Sequence, residues 1–329
     1  MAQNRLNIIQ VDQNSSFSKK NPIGSSRSAQ KKESQARFER LWLLDPEQFN
    51  PLRNCMQRER LDRTWNLLVA HINLKNKNFA DIGCAAGVFS RRIRDAGAKV
   101  DAVDIAENAL KHLKENDCNN ITPRHDAMPN TSLPDSSYDC VVCTEVIAEL
   151  SHQDFRLFFA ELARLIKADG YVVCSTPIDI NTEGGLQRFI ELAHTEFDII
   201  KAIPSYHALY LRIKKMVGVP DLYIRSSKDP ILRHKEMGER NKIRRWWFWL
   251  NSTVVIAPFW KLINFAISPI KSLIKNSTST LLSLEKICQF FWDEAGISHV
   301  IIICQRRPLH VPEPTEMPIE RLKKRQVWE

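Results

Sequence analysis

The stretch Phe79-Ala80-Asp81-Ile82-Gly83-Cys84-Ala85-Ala86-Gly87-Val88-Phe89-Ser90 constrains this chain more than any other. It reads as a buried strand ending in Asp81, a tight glycine turn and a helix opening near Ala86. Glycine lets a backbone turn sharply and lie close to a ligand, and the helix start offers unpaired N–H groups and a positive end. A second strand, Ala98 to Asp104, ends in another carboxylate, placed where an acidic side chain can hold a ribose diol. Strand, glycine turn, helix, strand and carboxylate together make a nucleoside-cofactor half-domain. The G-x-G-x-x-G spacing that cradles a pyrophosphate is absent. Asp81 would also repel a pyrophosphate, whereas it can orient a cationic amino-acid group.

On these residues the chain resembles the class I S-adenosylmethionine-dependent methyltransferases, in particular their small-molecule and lipid type, the methyltransferase domain 11/12 group. Their first motif is an acidic residue followed by G-x-G-x-G, and Ala85 stands in for the middle glycine. The likeness runs from about Arg58 to Asp198 and returns at His299 to Arg306. It implies an α/β fold: a Rossmann-like, mostly parallel seven-stranded sheet with an antiparallel last strand, here with a helical insertion before that strand. It also implies S-adenosylmethionine as cofactor. Asp81, Gly83, Ala85 and Gly87 would take the methionine portion, Asp104 the ribose, Ile105 an adenine face, and Asp126 with Ala127 the polar edge of adenine. A loop-capping role for Asp126 stays open.

Catalytic candidates are fewer. Glu145 follows the fourth strand, Tyr138 to Cys143, which reads as buried on both faces. Many small-molecule members carry a histidine four residues after the matching glutamate, where this chain has Glu149. His207, in Ser205-Tyr206-His207, is the alternative imidazole. Methyl transfer needs mainly alignment of the nucleophile in a dry site, with a base where the nucleophile carries a proton.

The rest of the chain divides by composition. Residues 1–35 read as a disordered basic tail, 36–204 as the core with N-terminal helices, and 205–294 as a basic, aromatic helical insertion. The last core strand takes 295–306, and 307–329 form a peripheral tail. The fifth strand is expected at Tyr171 to Ser175, after a stop at Ala168-Asp169-Gly170, and the sixth at Phe197 to Lys201. Gly184-Gly185 reads as an active-site loop. The eight cysteines lack repeat spacing, and Cys140 and Cys143 point to opposite faces of a strand. They read as buried apolar residues in a reducing compartment, with no metal site.

Formal net charge is +9, which calls for an anionic partner without saying which. Between Leu211 and Thr280 lie fourteen Lys or Arg and four Asp or Glu, a net of +10. Arg244-Arg245 leads into Trp246-Trp247-Phe248-Trp249, and Trp260 follows. Residues 244–275 therefore read as an anchor on an anionic membrane surface. A buried lid and a spanning segment are the other readings, and a single span would strand His299 to Arg306 across the bilayer. Nucleic acid is disfavoured, because aromatics interleaved with aliphatic runs suit lipid better than bases.

The function expected is methyl transfer to a small-molecule or lipid-like acceptor, by a cytoplasmic protein peripheral on a membrane. An RNA or protein methyltransferase is the second reading, and a non-catalytic membrane-associated scaffold the third. The acceptor atom and the oligomeric state are left open.

Overall fold

A computed structural model describes residues 27–115, 118–178, 185–238 and 241–307. The first helix, α1 (Arg27–Leu44), begins well inside the expected tail, of which residues 1–26 lie outside the described residues. Its first turns lack an apolar stripe and are held by polar contacts instead: Gln35 to His125 at 3.2 Å and Lys31 to Asp126 at 3.9 Å. α2 (Cys55–His71) starts at Asn54, whose side chain accepts the Gln57 N–H.

Strand β1 (Asn78–Ile82) then leads through the glycine turn into α3 (Val88–Asp95). β2 (Lys99–Asp104), α4 (Glu107–Lys114), β3 (Ile121–His125), β4 (Tyr138–Thr144) and α5 (Phe155–Leu165) follow. β5 (Ile166–Pro177) is longer than expected. The chain stays extended through Ala168-Asp169-Gly170, and the register against β4 shifts between Tyr138 and Cys140. After α6 (Gly185–Ala193) comes β6 (Phe197–Ser205), also longer than expected. Gly184 and the residues before it back to 179 lie outside the described residues.

The described part of the insertion is built of helices: α7 (Ala208–Lys228), α8 (Pro230–Gly238), α9 (Lys242–Asn251), α10 (Ala257–Ala266), α11 (Ser268–Asn276) and α12 (Thr278–Trp292). β7 (His299–Arg306) closes the sheet, and residues 308–329 of the expected C-terminal tail lie outside the described residues.

The seven strands run in the order β3-β2-β1-β4-β5-β7-β6, parallel except for β7, which pairs antiparallel with both β5 and β6. Side-chain alternation sorts the strand residues between two cores. Ala80, Ile82, Val141 and Cys143 meet Phe158, Phe159 and Leu162 of α5 on one face. Phe79, Cys140 and Val142 meet Leu67, Leu68, Ile93 and Leu113 from α2, α3 and α4 on the other. The insertion is fastened to α2 by a smaller core of Cys55, Tyr210, Ile274 and Leu281. There Tyr210 Oη donates to the Ile274 carbonyl at 3.0 Å. Among the described residues no helix is long and apolar enough to cross a membrane. The stretch 246–270 is divided between α9 and α10, with a non-helical break at residues 252–256.

Candidate active site

The carboxyl ends of the parallel strands lie on one edge of the sheet, where ligands bind in such folds. Three neighbouring strands bring Asp81, Asp104 and Asp126 to that edge. Gly83 (φ +78°), Ala85 (φ +51°) and Gly87 (φ +75°) all take left-handed conformations. The turn is tied to β2 by the Gly83 and Cys84 N–H groups, which donate to the Val103 carbonyl at 2.8 and 3.0 Å. Both glycines are also packing requirements. A Cβ on Gly83 would come 2.4 Å from Val146 Cγ2, and one on Gly87 would come 1.9 Å from Leu113 Cδ1.

Asp104 is buried, and its two oxygens accept the Ala85 and Ala106 N–H groups, each at 2.9 Å. Burial pushes its carboxyl up. Each carboxylate oxygen keeps a lone pair for a further donor, so the ribose role fits this geometry. Asp81 lies deeper, with Ser90 Oγ donating to it at 2.5 Å. Burial pushes its carboxyl up to about 6. Asp126 accepts the Ala127 N–H at 2.8 Å and the Ser132 N–H and Oγ at 2.6 and 2.8 Å, so it caps its own loop. Ile105 is half-buried, and its carbonyl is bonded to His125 at 2.9 Å.

Helix α1 lies across this half of the edge. Trp42 packs with Phe38 and Phe49 against Ala85, Ala86, Ala106 and Ala109. Glu39 accepts the Glu107 and Asn108 N–H groups at 2.5 and 3.2 Å, at the start of α4. The donor set, the left-handed turn and the apolar cover suit a nucleoside bearing a sulfonium amino acid.

Beyond β4 a second constellation forms. Glu145 is held at φ +65°, a strained value for a residue with a side chain. Its carboxylate, 39% exposed, accepts from Arg60 Nη1 at 3.2 Å, from Ser175 Oγ at 3.2 Å and from a short bond to His299 Nε2. Burial alone would push this carboxyl up, but Arg60 and His299 outweigh it and hold it at about 2. His299 is 2% exposed, burial holds it below its ordinary range, and its Nδ1 has no partner. With Glu145 ionised and fixing a proton on Nε2, Nδ1 carries the lone pair.

Next to it, His207 is fully buried, with its N–H bonded to Ser298 Oγ at 3.3 Å. Its Nε2 lies 3.9 Å from Glu59 and 3.8 Å from Glu285, and neither ring nitrogen is hydrogen-bonded. Arg63 links the two acids, reaching Glu285 at 2.5 Å and Glu59 by a shorter contact. Burial pushes His207 down to about 4 and Glu59 up to about 7. Glu145 and His207 thus lie in neighbouring polar clusters, close enough for Arg60 and His299 to act electrostatically on His207, which is sealed inside while Glu145 is partly exposed.

Sequence reasoning did not single out His299, Arg60, Arg63 or Glu285. A signal for His299 exists: the first residue of an antiparallel last strand falls on the same edge as the last residues of the parallel ones. Here His299 pairs in register with Pro177 and Ser205.

Residues 80–174 match a family described as a methyltransferase domain. The ubiquinone biosynthesis O-methyltransferase of Burkholderia thailandensis is 30% identical over 118 residues, 34% of this chain and 49% of the relative. That of Burkholderia vietnamiensis is 28% identical over 165 residues, 47% and 68% of the two chains. The chain therefore spans about half the length of the first of these relatives. Among solved structures, a putative sarcosine dimethylglycine methyltransferase from Galdieria sulphuraria aligns over 76% of this chain and 86% of its own, at 15% identity and a TM-score of 0.44. The strand order, the acidic glycine turn and the matched segment agree: the chain carries a methyltransferase domain of the class I, S-adenosylmethionine-dependent kind.

Proposed function

We propose that the protein methylates a phenolic hydroxyl of a small or lipid-like acceptor. The observation that carries this reading is the buried, unpartnered Nδ1 of His299, opposite a ring nitrogen bonded to an ionised Glu145. A neutral imidazole so oriented can take a phenol's proton, which is far easier to remove than that of an aliphatic alcohol. The cofactor, when bound, supplies an electrophilic methyl on a positively charged sulfur. Glu145 keeps the proton on Nε2, steadies the imidazolium that forms and does not itself become protonated. Arg60 holds the carboxylate in place from α2.

His299 would take the phenol's proton as the oxygen forms its bond to carbon; the bound cofactor would supply the methyl group and leave as a neutral thioether. The proton leaves to solvent after release. The name of the curated relatives, O-methyltransferase, supports oxygen as the acceptor atom.

The test is methyl transfer from labelled S-adenosylmethionine to simple catechols and prenylated phenols, with His299→Gln and Glu145→Gln alongside wild type. Loss of a positioned base should lower kcat by about a hundredfold or more, with cofactor affinity unchanged by calorimetry. Full activity of His299→Gln, or labelling of an RNA or protein instead of any phenol, would sink the proposal.

A further inference from the structure

Helix α10 is apolar on its outward side as well as its inward one. Its inward side offers Trp260, Ile263 and Asn264, and Lys271 from α11 turns back to meet Asn264 and, at 2.5 Å, Asp221 of α7. Its outward side is Phe259, Leu262 and Phe265, the last 78% exposed. These three fall within two turns on one face, at spacings of three residues. Helix α9 repeats the arrangement. Phe248 is buried against Tyr223, while Trp246, Trp247 and Trp249 are exposed. Val254 and Val255 project between the two helices, 72% and 88% exposed. Tyr223 packs on both Phe248 of α9 and Trp260 of α10, so the two helices with their exposed apolar residues sit side by side on α7, and a soluble monomer rarely leaves so many uncovered.

Charge selects the occupant. From Lys242 to Leu284 there are six basic residues and no acidic one. Exposed Lys242, Arg244 and Arg245 precede the tryptophans, and exposed Lys261 and Lys275 border the α10–α11 face. Indole rings settle at the headgroup level, and long cations reach back to water and phosphate. A second copy would explain the apolar face but not this one-signed charge, because it brings the same cations. Each helix has ten residues, about 15 Å long, half the thickness of a bilayer's hydrocarbon core. They can lie in the interface and cannot cross it.

We infer that α9, α10 and the turn between them dock the protein on an anionic bilayer, lying flat with Trp246, Trp247, Trp249, Phe259, Leu262 and Phe265 among the headgroups and upper chains. The inference does not rest on the methyl acceptor and would hold for a different one. The aromatic anchor of α10 to the protein is firm: Trp260 packs on Tyr223 with ring centroids 4.8 Å apart. The face is therefore presented by a structured element.

Vesicle flotation with the full chain tests this, using phosphatidylcholine alone and phosphatidylcholine with phosphatidylglycerol. Wild type should float with the anionic vesicles. Each basic residue near an anionic surface contributes roughly fivefold to partitioning, so Arg244→Glu/Arg245→Glu should lose at least about thirtyfold at low salt. Phe259→Ser/Leu262→Ser/Phe265→Ser should lose binding at every salt concentration while cofactor binding stays intact. Should that variant fail to fold, wild-type tryptophan fluorescence supplies the second readout: a blue shift on adding anionic vesicles and quenching by brominated lipid. Wild type that stays unbound on anionic vesicles, without a fluorescence shift, would overturn the inference. Self-association or RNA binding through the same residues, without flotation, would overturn it equally.

Discussion

Glu59→Gln should make the fold acid-labile at a pH where wild type is not. His207 is held neutral down to about 4, against an ordinary 6.5, by burial. The unfolded chain therefore takes up a proton that the folded one refuses as pH falls from 6.5 toward 4. The linkage costs about 1.4 kcal/mol for each pH step of one, so His207 alone would remove about 3 kcal/mol across that window. Glu59 runs the other way. Its folded value, raised by burial to about 7 from an ordinary 4.5, lies above the unfolded one. Its contribution is present below 4.5 and lost as pH rises through 7, again about 3 kcal/mol. The two groups lie 3.9 Å apart and largely cancel between pH 4.5 and 6.5.

The other neighbours do not disturb this balance. Glu285 is held down against its burial by Arg63, and Glu145 stays ionised to about 2. Urea unfolding followed by tryptophan fluorescence, stepped between pH 4.5 and 7, measures it. Wild type should change little from this site. Glu59→Gln should lose about 3 kcal/mol on acidification, and His207→Gln should gain stability on the same path. Equal slopes for wild type and Glu59→Gln would refute the reasoning.

Gly87→Ala combines a left-handed backbone with a Cβ 1.9 Å from buried Leu113. It should cost about 2–5 kcal/mol, read as a fall in Tm. Asp104→Asn removes the charge that accepts the Ala85 and Ala106 N–H groups, and calorimetry should show cofactor affinity weakened about tenfold to a hundredfold. Trp42→Ala should cost about 3 kcal/mol locally. Amide exchange should then rise across residues 27–44 of α1 while β1 stays protected.

The two halves of the site were unequally legible. Asp81, Gly83, Gly87 and Asp104 lie within one strand-turn-helix-strand unit, where local spacing carries the chemistry. Their strand ends follow from the alternation of apolar runs with turn residues. The second cluster is assembled from Arg60, Glu145, Ser175 and His299, which the chain order separates widely and only the fold unites. His207 drew attention as an imidazole near the insertion, and its sequence context gives no hint of its complete burial. Helix α1 escaped notice at its start because its apolar stripe begins only near Phe38, while Lys31 and Gln35 are held by tertiary contacts that no periodicity records.

The place of β7 has a consequence for how the molecule is made. β5 and β6 are not paired with each other, because β7 lies between them and pairs with both. While residues 178–298 are being synthesised, β5 therefore presents an open hydrogen-bonding edge, which any other extended chain can use. The basic, aromatic insertion emerges during that interval. A nascent chain halted before Ser298 would have neither a closed sheet nor the buried imidazole of His299 beside Glu145. The sheet can therefore close only once the last described strand, β7, has been made.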